Sequence, residues 1–381
     1  MKISFPYMGQ VLGYKKLLEF FGHEVIMPEK PTQRTFDLGV LHSPEFICYP
    51  FKVLTGTYIE ACEKGAELII SSGGSGPCRA GMYCEVHRRI LKQLGYSTNV
   101  MIFDSVFQRP KRFFSQIMML KNKTSVFKIL KAVNYTFRLL KILDDIDEKV
   151  KINRAYETNR GDFDKCVEKI HEMFDKTSTV KELKAATKTA HEMLDSVPIK
   201  IPDETKKLRL GIVGEIYVIM ETATNMEIEK RLNGLGVEVY NVQNISGWLS
   251  HNLIPRRFSK EKSWEAFDKG SRYKRCACGG HDKENTGWII DFAERGFDGV
   301  VHLMPFGCLP ELVTRSIIPQ MSAELDMPIL TMSIDEQNGE ANTQTRLEAF
   351  VDLCRSKKKS RSKFPENPVA PHRESADKVN A

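Results

Sequence analysis

Three cysteines that share one kind of sequence context are the residues of this chain best suited to chemistry. Cys48 lies in Phe-Ile-Cys-Tyr-Pro, Cys78 in Gly-Pro-Cys-Arg and Cys308 in Phe-Gly-Cys-Leu-Pro. Each follows a stretch typical of a buried strand or its exit loop, and α/β proteins bind ligands beyond the carboxyl ends of their strands. Three thiolates at one point predict a soft metal centre, for which an iron–sulfur cluster is the leading interpretation. Three ligands instead of four would leave one metal position open.

The glycine-rich segment 73–81 contains Cys78 and connects a predicted strand to a predicted helix. Such a turn brings backbone N–H groups close to an anion or to the sulfurs of a cluster. The segment lacks the GxGxxG pattern, and the GxxxxGK[ST] loop occurs nowhere in the chain, so neither dinucleotide binding nor P-loop ATP hydrolysis is predicted. The alternative is a tight turn with a buried, inert thiol.

A second cysteine-bearing glycine turn, Cys276-Ala277-Cys278-Gly279-Gly280-His281, leaves a structural zinc site open as an alternative. Its spacing is not that of a zinc finger, and no second CxxC pair completes it. His281 is expected at the start of a helix, where a lone histidine is usually a packing residue. The other cysteines lie in helical patterns and are expected to be inert: Cys62, Cys84, Cys166 and Cys354. Of these, Cys84 is the exception to consider, because it follows Cys78 by six residues.

Composition indicates a globular protein of two or three domains in a reducing compartment. The chain has 381 residues, 41% of them hydrophobic and 28% charged. Nine cysteines without an export signal predict a cytoplasmic protein with metal or thiol chemistry, not disulfides. No stretch has the length and apolarity of a membrane span. Much of the net charge of +7 lies in residues 355–381, which hold eight Lys or Arg and three Asp or Glu, so nucleic-acid binding is not predicted.

The order of strand and helix patterns predicts an α/β protein with two Rossmann-like lobes, each with a parallel sheet, joined by a helical region. Residues 1–107 form the first lobe, 108–205 the helical insert or bridge, 206–355 the second lobe and 356–381 a disordered basic tail. The first lobe is expected to hold these strands: Ile3–Pro6, Glu24–Met27, Phe36–Leu41, Ala66–Ser71 and Thr98–Phe103.

In its cysteine- and glycine-containing stretches the chain resembles the superfamily of 2-hydroxyacyl-CoA dehydratase components and benzoyl-CoA reductases. Within that superfamily it resembles the activase-associated branch, which has double-cubane cluster proteins among its relatives. The resemblance covers nearly the whole chain, up to about Cys354. Its most specific stretches are Ser43–Lys52, Gly76–Gly81, Gly211–Tyr217, Gly279–His281 and His302–Glu311.

The resemblance implies that Cys48, Cys78 and Cys308 hold a [4Fe–4S] cluster whose fourth iron is open to water or substrate. A larger double-cubane cluster would need further thiolates, and Cys84 and Cys276 are the candidates for these. Four other residues are candidates to lie beside the ligands: Lys52, Arg79, His281 and Glu311.

The resemblance also implies a function: low-potential dehydration or reduction under anaerobic conditions, after ATP-driven reduction by a separate activase. It implies an acyl-CoA or another small molecule as substrate, and a homodimer. Two alternatives remain open at the level of the sequence: a non-catalytic iron–sulfur scaffold or electron carrier, and a structural zinc protein.

Overall fold

A computed structural model describes residues 1–74, 76–103, 110–259, 261–337 and 339–363. The described strands form two sheets of four parallel strands, as predicted for an α/β protein with two lobes. The first sheet has the order β2-β1-β3-β4 and the second the order β6-β5-β7-β8. The strand bounds are β1 Lys2–Ser4, β2 Glu24–Val25, β3 Leu68–Ser72, β4 Asn99–Phe103, β5 Leu208–Gly214, β6 Val237–Asn241, β7 Gly299–Pro305 and β8 Ile329–Ile334.

Helices connect the strands of both sheets. Those of the first lobe and the helical region are α1 Val11–Phe20, α2 Gln33–His42, α3 Tyr49–Glu63, α4 Tyr83–Gln93, α5 Pro110–Leu120, α6 Val126–Asn153, α7 Asp162–Asp175 and α8 Val180–Asp195. Those of the second lobe are α9 Ile216–Met220, α10 Ile228–Gly234, α11 Ile245–Leu253, α12 Lys262–Lys269, α13 Asp282–Glu294, α14 Leu309–Glu324 and α15 Glu340–Lys363. No described helix is long and apolar enough to cross a membrane.

The two lobes repeat one plan. Numbered within its own lobe, each sheet has the order 2-1-3-4, and in each lobe a largely buried helix precedes the third strand. Each of these helices crosses its predecessor at a glycine, because a Cβ on Gly56 of α3 or on Gly287 of α13 would overlap a backbone carbonyl of α2 or α12. The same close approach in both lobes indicates that the lobes are structural duplicates.

A continuous core joins the lobes. One cluster of buried apolar residues contains Tyr58 and Ile69 of the first lobe together with Leu210 and Val301 of the second. The helical region has its own core, in which residues such as Leu139 and Phe163 are buried. Because α6 also packs against α1 and β6, the helical region braces both lobes.

Two local expectations differ from the structure. The predicted strand Phe36–Leu41 is wrong, because these residues lie in α2, which begins with a capping box between Thr32 and Thr35. A short apolar run does not distinguish a strand from a helix, and here the cap decides.

The start of the basic C-terminal segment is helical where composition indicated disorder. Helix α15 continues through residues 356–363, and Lys357 and Arg361 pair with Asp326 while Lys358 pairs with Asp298. The charges of this stretch therefore bind acidic groups of the second lobe. The remaining part of the predicted tail, 364–381, lies outside the described residues.

Candidate metal centre between the lobes

Each of the three candidate cysteines lies directly before a helical segment. Cys48 precedes α3 and Cys308 precedes α14, and both helices have a proline in the first turn. Cys78 precedes a single 3₁₀ turn, Arg79–Met82, which leads into α4. Proline favours a helix start because its missing N–H would have no partner there. Each thiol therefore lies at the N-terminus of a helix or turn, where N–H groups have no intrahelical acceptor.

The fold brings the three cysteine segments into one region, beyond the carboxyl ends of β3 and β7. A Cβ on Gly307 would lie 3.8 Å from the Cα atom of Cys48, and Gly307 adopts the left-handed conformation, with φ +74°. Cys48 interacts electrostatically with both Cys78 and Cys308. The approach of two main chains at Gly307 explains why glycine precedes Cys308.

Arg79 connects these segments. Its guanidinium donates a hydrogen bond to the Phe46 carbonyl oxygen at 2.8 Å and a second to the Gly307 carbonyl oxygen. One side chain from the Cys78 turn therefore binds the segment before Cys48 in its own lobe and the segment before Cys308 in the other lobe. The sequence marked Arg79 as a neighbour of the ligands, and the structure gives it this bridging position.

Each sulfur has a hydrogen-bonding partner. The Tyr83 hydroxyl lies 2.6 Å from Cys48 Sγ, and both side chains are buried. The backbone N–H of Ala80 donates to Cys78, and that of Glu311 donates to Cys308. Cluster-bound thiolates accept hydrogen bonds of this kind. Tyr83 was not among the predicted site residues.

The surroundings of the thiols are acidic and buried. Burial raises the pKa of all three thiols, and the carboxylates of Glu311 and Glu215 raise the pKa of Cys308 further. Burial also raises the pKa of Glu215 to about 7. The charge of Arg79 offsets only part of the rise in the pKa of Cys48 and Cys78, so the thiols stay protonated, whereas a bound metal deprotonates a coordinating thiol outright.

Glu215 is a residue that the sequence reasoning missed. It lies at the carboxyl end of β5 and accepts a hydrogen bond from the Val218 N–H at 3.0 Å. Its charge acts on all three candidate cysteines. The available signal was its place directly after a buried strand, inside one of the stretches that carry the family resemblance.

Glu311 belongs to a buried polar network beneath Cys308. Its carboxylate accepts a hydrogen bond from Asn285 Nδ2 at 2.9 Å and lies 2.8 Å from His302 Nε2. Asn285 also donates to the Gly214 carbonyl oxygen at 3.0 Å. The network joins the ends of β5 and β7 to α13 and α14, so it fixes the segment from which Cys308 projects.

The other sequence candidates occupy distinct positions. Lys52 is buried and pairs with Glu336, which follows β8, so it links α3 to the second lobe. His281 is the residue directly before α13. Cys84 Sγ donates to the Val100 carbonyl oxygen at 3.2 Å, on the β4 side of α4, so it does not join the other three.

The Cys276–His281 loop lies against the Cys78 turn. A Cβ on Gly76 would lie 3.6 Å from the Cα atom of Gly279. The loop is closed at its base by the buried ion pair between Lys274 and Asp282, whose carboxylate also accepts the N–H of Cys278 at 3.0 Å. Cys276 is exposed and Cys278 is partly exposed.

These residues fit an iron–sulfur cluster in the chemistry of their donors: three thiols from segments that approach one another, with a hydrogen-bonding group beside each sulfur. Among the described residues, no group of three or more His, Cys, Asp or Glu side chains could hold a metal ion. The fit to a cluster therefore rests on the chemistry of the donors and not on a metal-binding geometry.

Comparison with known proteins assigns the family. Residues 4–245 match the model of the CoA enzyme activase uncharacterised domain (DUF2229). Residues 167–353 match the model of the 2-hydroxyglutaryl-CoA dehydratase D-component. No curated protein matches the chain significantly. The chain belongs to the family of the CoA enzyme activase uncharacterised domain, within the superfamily of 2-hydroxyacyl-CoA dehydratase components.

Proposed function

We propose that this protein is an iron–sulfur component of the 2-hydroxyacyl-CoA dehydratase type, in which Cys48, Cys78 and Cys308 are the cluster ligands. The family matches indicate a dehydratase-type component associated with an activase. The observation that carries the proposal is the approach of three cysteine segments from two lobes, in which Cys48 and Cys308 are buried, Cys78 is partly buried and each sulfur has a hydrogen-bonding group beside it. Inert buried thiols need neither a shared location nor acidic neighbours.

A cluster held by these three thiolates would supply a low-potential electron and one iron open to a substrate oxygen. The protein groups have three tasks around it. Tyr83 and the two backbone N–H groups stabilise charge on the sulfurs. Arg79 holds the two lobes at a fixed separation across the site, through its bonds to Phe46 and Gly307. Buried residues of the core around Cys48, such as Ile47 and Tyr49, lower the local dielectric on that side of the site, which strengthens electrostatic interactions there.

Glu215 is the acid–base candidate of the site. Its pKa of about 7 allows the carboxyl group to gain or lose a proton near neutral pH. It faces the three thiols from the end of β5. We assign it the movement of a proton to or from a bound substrate, because dehydration requires a proton at the departing hydroxyl group.

The partner of this protein is, in our proposal, a separate ATP-hydrolysing activase. The chain contains no GxxxxGK[ST] loop, so ATP-driven electron delivery requires a second protein. The match of residues 4–245 to an activase-linked domain supports this assignment. We further propose a homodimer, an acyl-CoA substrate and a reducing, anaerobic cytoplasm.

The test is to reduce the anaerobically reconstituted protein with an activase of the 2-hydroxyglutaryl-CoA dehydratase type and to monitor the reduction by the absorbance of the cluster. The proposal predicts reduction that depends on ATP, and turnover of a 2-hydroxyacyl-CoA only after reduction. The matched control is an activase whose ATP hydrolysis is disabled. Reduction at the same rate without ATP, and no turnover of any 2-hydroxyacyl-CoA, would identify a simple electron carrier.

A further inference from the structure

The duplicated plan of the two lobes identifies a fourth position of the site. Cys78 follows β3 in the first lobe, and Cys308 follows β7 at the equivalent place in the second. Cys48 directly precedes α3, the helix before β3. The equivalent residue in the second lobe directly precedes α13, the helix before β7, and it is His281.

Three independent features support the equivalence of α3 and α13. Both helices are largely buried along their length. Both cross the preceding helix at a glycine that admits no side chain, Gly56 or Gly287. Both are followed by a left-handed glycine three residues before the next strand, Gly65 with φ +85° and Gly296 with φ +69°.

The segment that leads to His281 also touches the cysteine segments. A Cβ on Gly280 would lie 3.3 Å from Pro310, two residues after Cys308. The preceding glycine, Gly279, is the residue in contact with Gly76 of the Cys78 turn. The four positions defined by the duplicated plan therefore come from segments that contact one another.

The side chain of His281 has the chemistry of a ligand. Within the described parts of the chain, its ring makes no hydrogen bond, in contrast to the rings of His87 and His302. Its ring interacts electrostatically with Glu311, whose charge also acts on Cys78 and Cys308. A neutral imidazole carries a free lone pair and suits iron.

We propose that His281 is the fourth side chain of the site and that its imidazole binds the iron that has no cysteine ligand. The inference rests on the proposed iron–sulfur function and adds a residue to it. Imidazole is a neutral ligand whereas thiolate is anionic, so a substrate oxygen can displace it more readily than it could displace a fourth cysteine. His281 would hold that iron in the absence of substrate and would leave it free for a substrate oxygen.

The experiment is pulsed electron paramagnetic resonance on the dithionite-reduced full-length protein, with histidine labelled by ¹⁵N. The inference predicts a strongly coupled nitrogen in the wild-type cluster that is lost in His281→Ala and retained in His191→Ala, a histidine variant in α8. The variant His281→Cys should keep the iron content of the wild type and lose the nitrogen coupling, which separates ligation from a structural role.

Two results would overturn the inference while the cluster proposal stands: a reduced wild-type cluster without strong nitrogen coupling, or a coupling that persists in His281→Ala. A wild-type protein that binds no iron and sulfide is a different result. It would refute the proposed function and the His281 inference together.

Discussion

Removal of the Arg79 side chain should loosen the junction of the two lobes at the candidate site. Its guanidinium makes hydrogen bonds to the Phe46 and Gly307 carbonyl oxygens, one in each lobe. In Arg79→Ala both carbonyl groups lose a charged donor, and Gly307 lies directly before Cys308. We therefore expect a loss of stability and a weaker hold on any cluster.

The magnitude follows from the two bonds. A hydrogen bond with a charged partner contributes roughly 1.5–3 kcal/mol when it is shielded from water, and less when it is exposed. The bond to Gly307 is partly buried, whereas the bond to Phe46 is exposed. We therefore expect the free energy of unfolding of Arg79→Ala to fall by about 2–3 kcal/mol, with the bond to Gly307 as the main contribution.

The assay is urea unfolding of the metal-free protein, followed by circular dichroism. A loss of this size lowers the midpoint by roughly 1 M for a protein with a slope of about 3 kcal/mol/M. Arg89→Ala is the matched control, because Arg89 lies on nearby α4, is 74% exposed and, within the described residues, forms an ion pair only with Glu85. We expect a change below about 0.5 kcal/mol for the control. Equal midpoints for Arg79→Ala and Arg89→Ala would refute the bridging role of Arg79.

Three further predictions test other parts of the structure. Tyr83→Phe removes the donor to Cys48 Sγ, so the cluster should have a more negative midpoint potential at unchanged iron content; an unchanged potential in redox titration would contradict the proposed contact. Burial raises the pKa of Glu284 to about 8, so this group contributes stability that is present at low pH and lost as the pH rises towards 8. Between pH 5 and 9, the free energy of unfolding measured with urea should therefore decline less in Glu284→Gln than in the wild type. Parallel curves for the two proteins would contradict the raised pKa of Glu284. Gly287→Ala should destabilise the protein by several kcal/mol, because the new Cβ would overlap a backbone carbonyl of α12. The control Gly234→Ala has open space at its Cβ and should be neutral or slightly stabilising. Similar melting temperatures of both variants would contradict the close helix crossing.

Much of the fold could be predicted because its signals are local. Buried parallel strands such as Leu68–Ser72 are continuous apolar runs, and the glycines that follow helices mark their ends. The segment Phe36–Leu41 was misjudged, since its apolar residues fit a strand or a helix equally. The cap at Thr32 and the packing of α2 on α3 make this segment helical. The sequence pattern alone does not predict α3, so it does not predict this packing either.

The cysteines of the candidate site could be predicted from the sequence, whereas the residues around them could be predicted less well. Cys48, Cys78 and Cys308 carry a local signal, because glycine and proline shape each turn. Tyr83 and Glu215 carry no such signal, since their importance depends on contacts between segments that are far apart in the sequence. The same holds for the equivalence of Cys48 and His281, which becomes visible only when the two sheets are compared.

The proposed cluster can be tested by iron and acid-labile sulfide determination on anaerobically purified protein, combined with electron paramagnetic resonance after reduction. We expect a brown protein with both elements in the wild type and in Cys166→Ser, whose cysteine lies in α7, away from the other thiols. Replacement of Cys48, Cys78 or Cys308 by Ser should remove most of the cluster, because a hydroxyl is a poorer ligand for iron than a thiolate. Full iron and sulfide in all three of these variants, or their absence from the wild type, would contradict the assignment of these cysteines as cluster ligands.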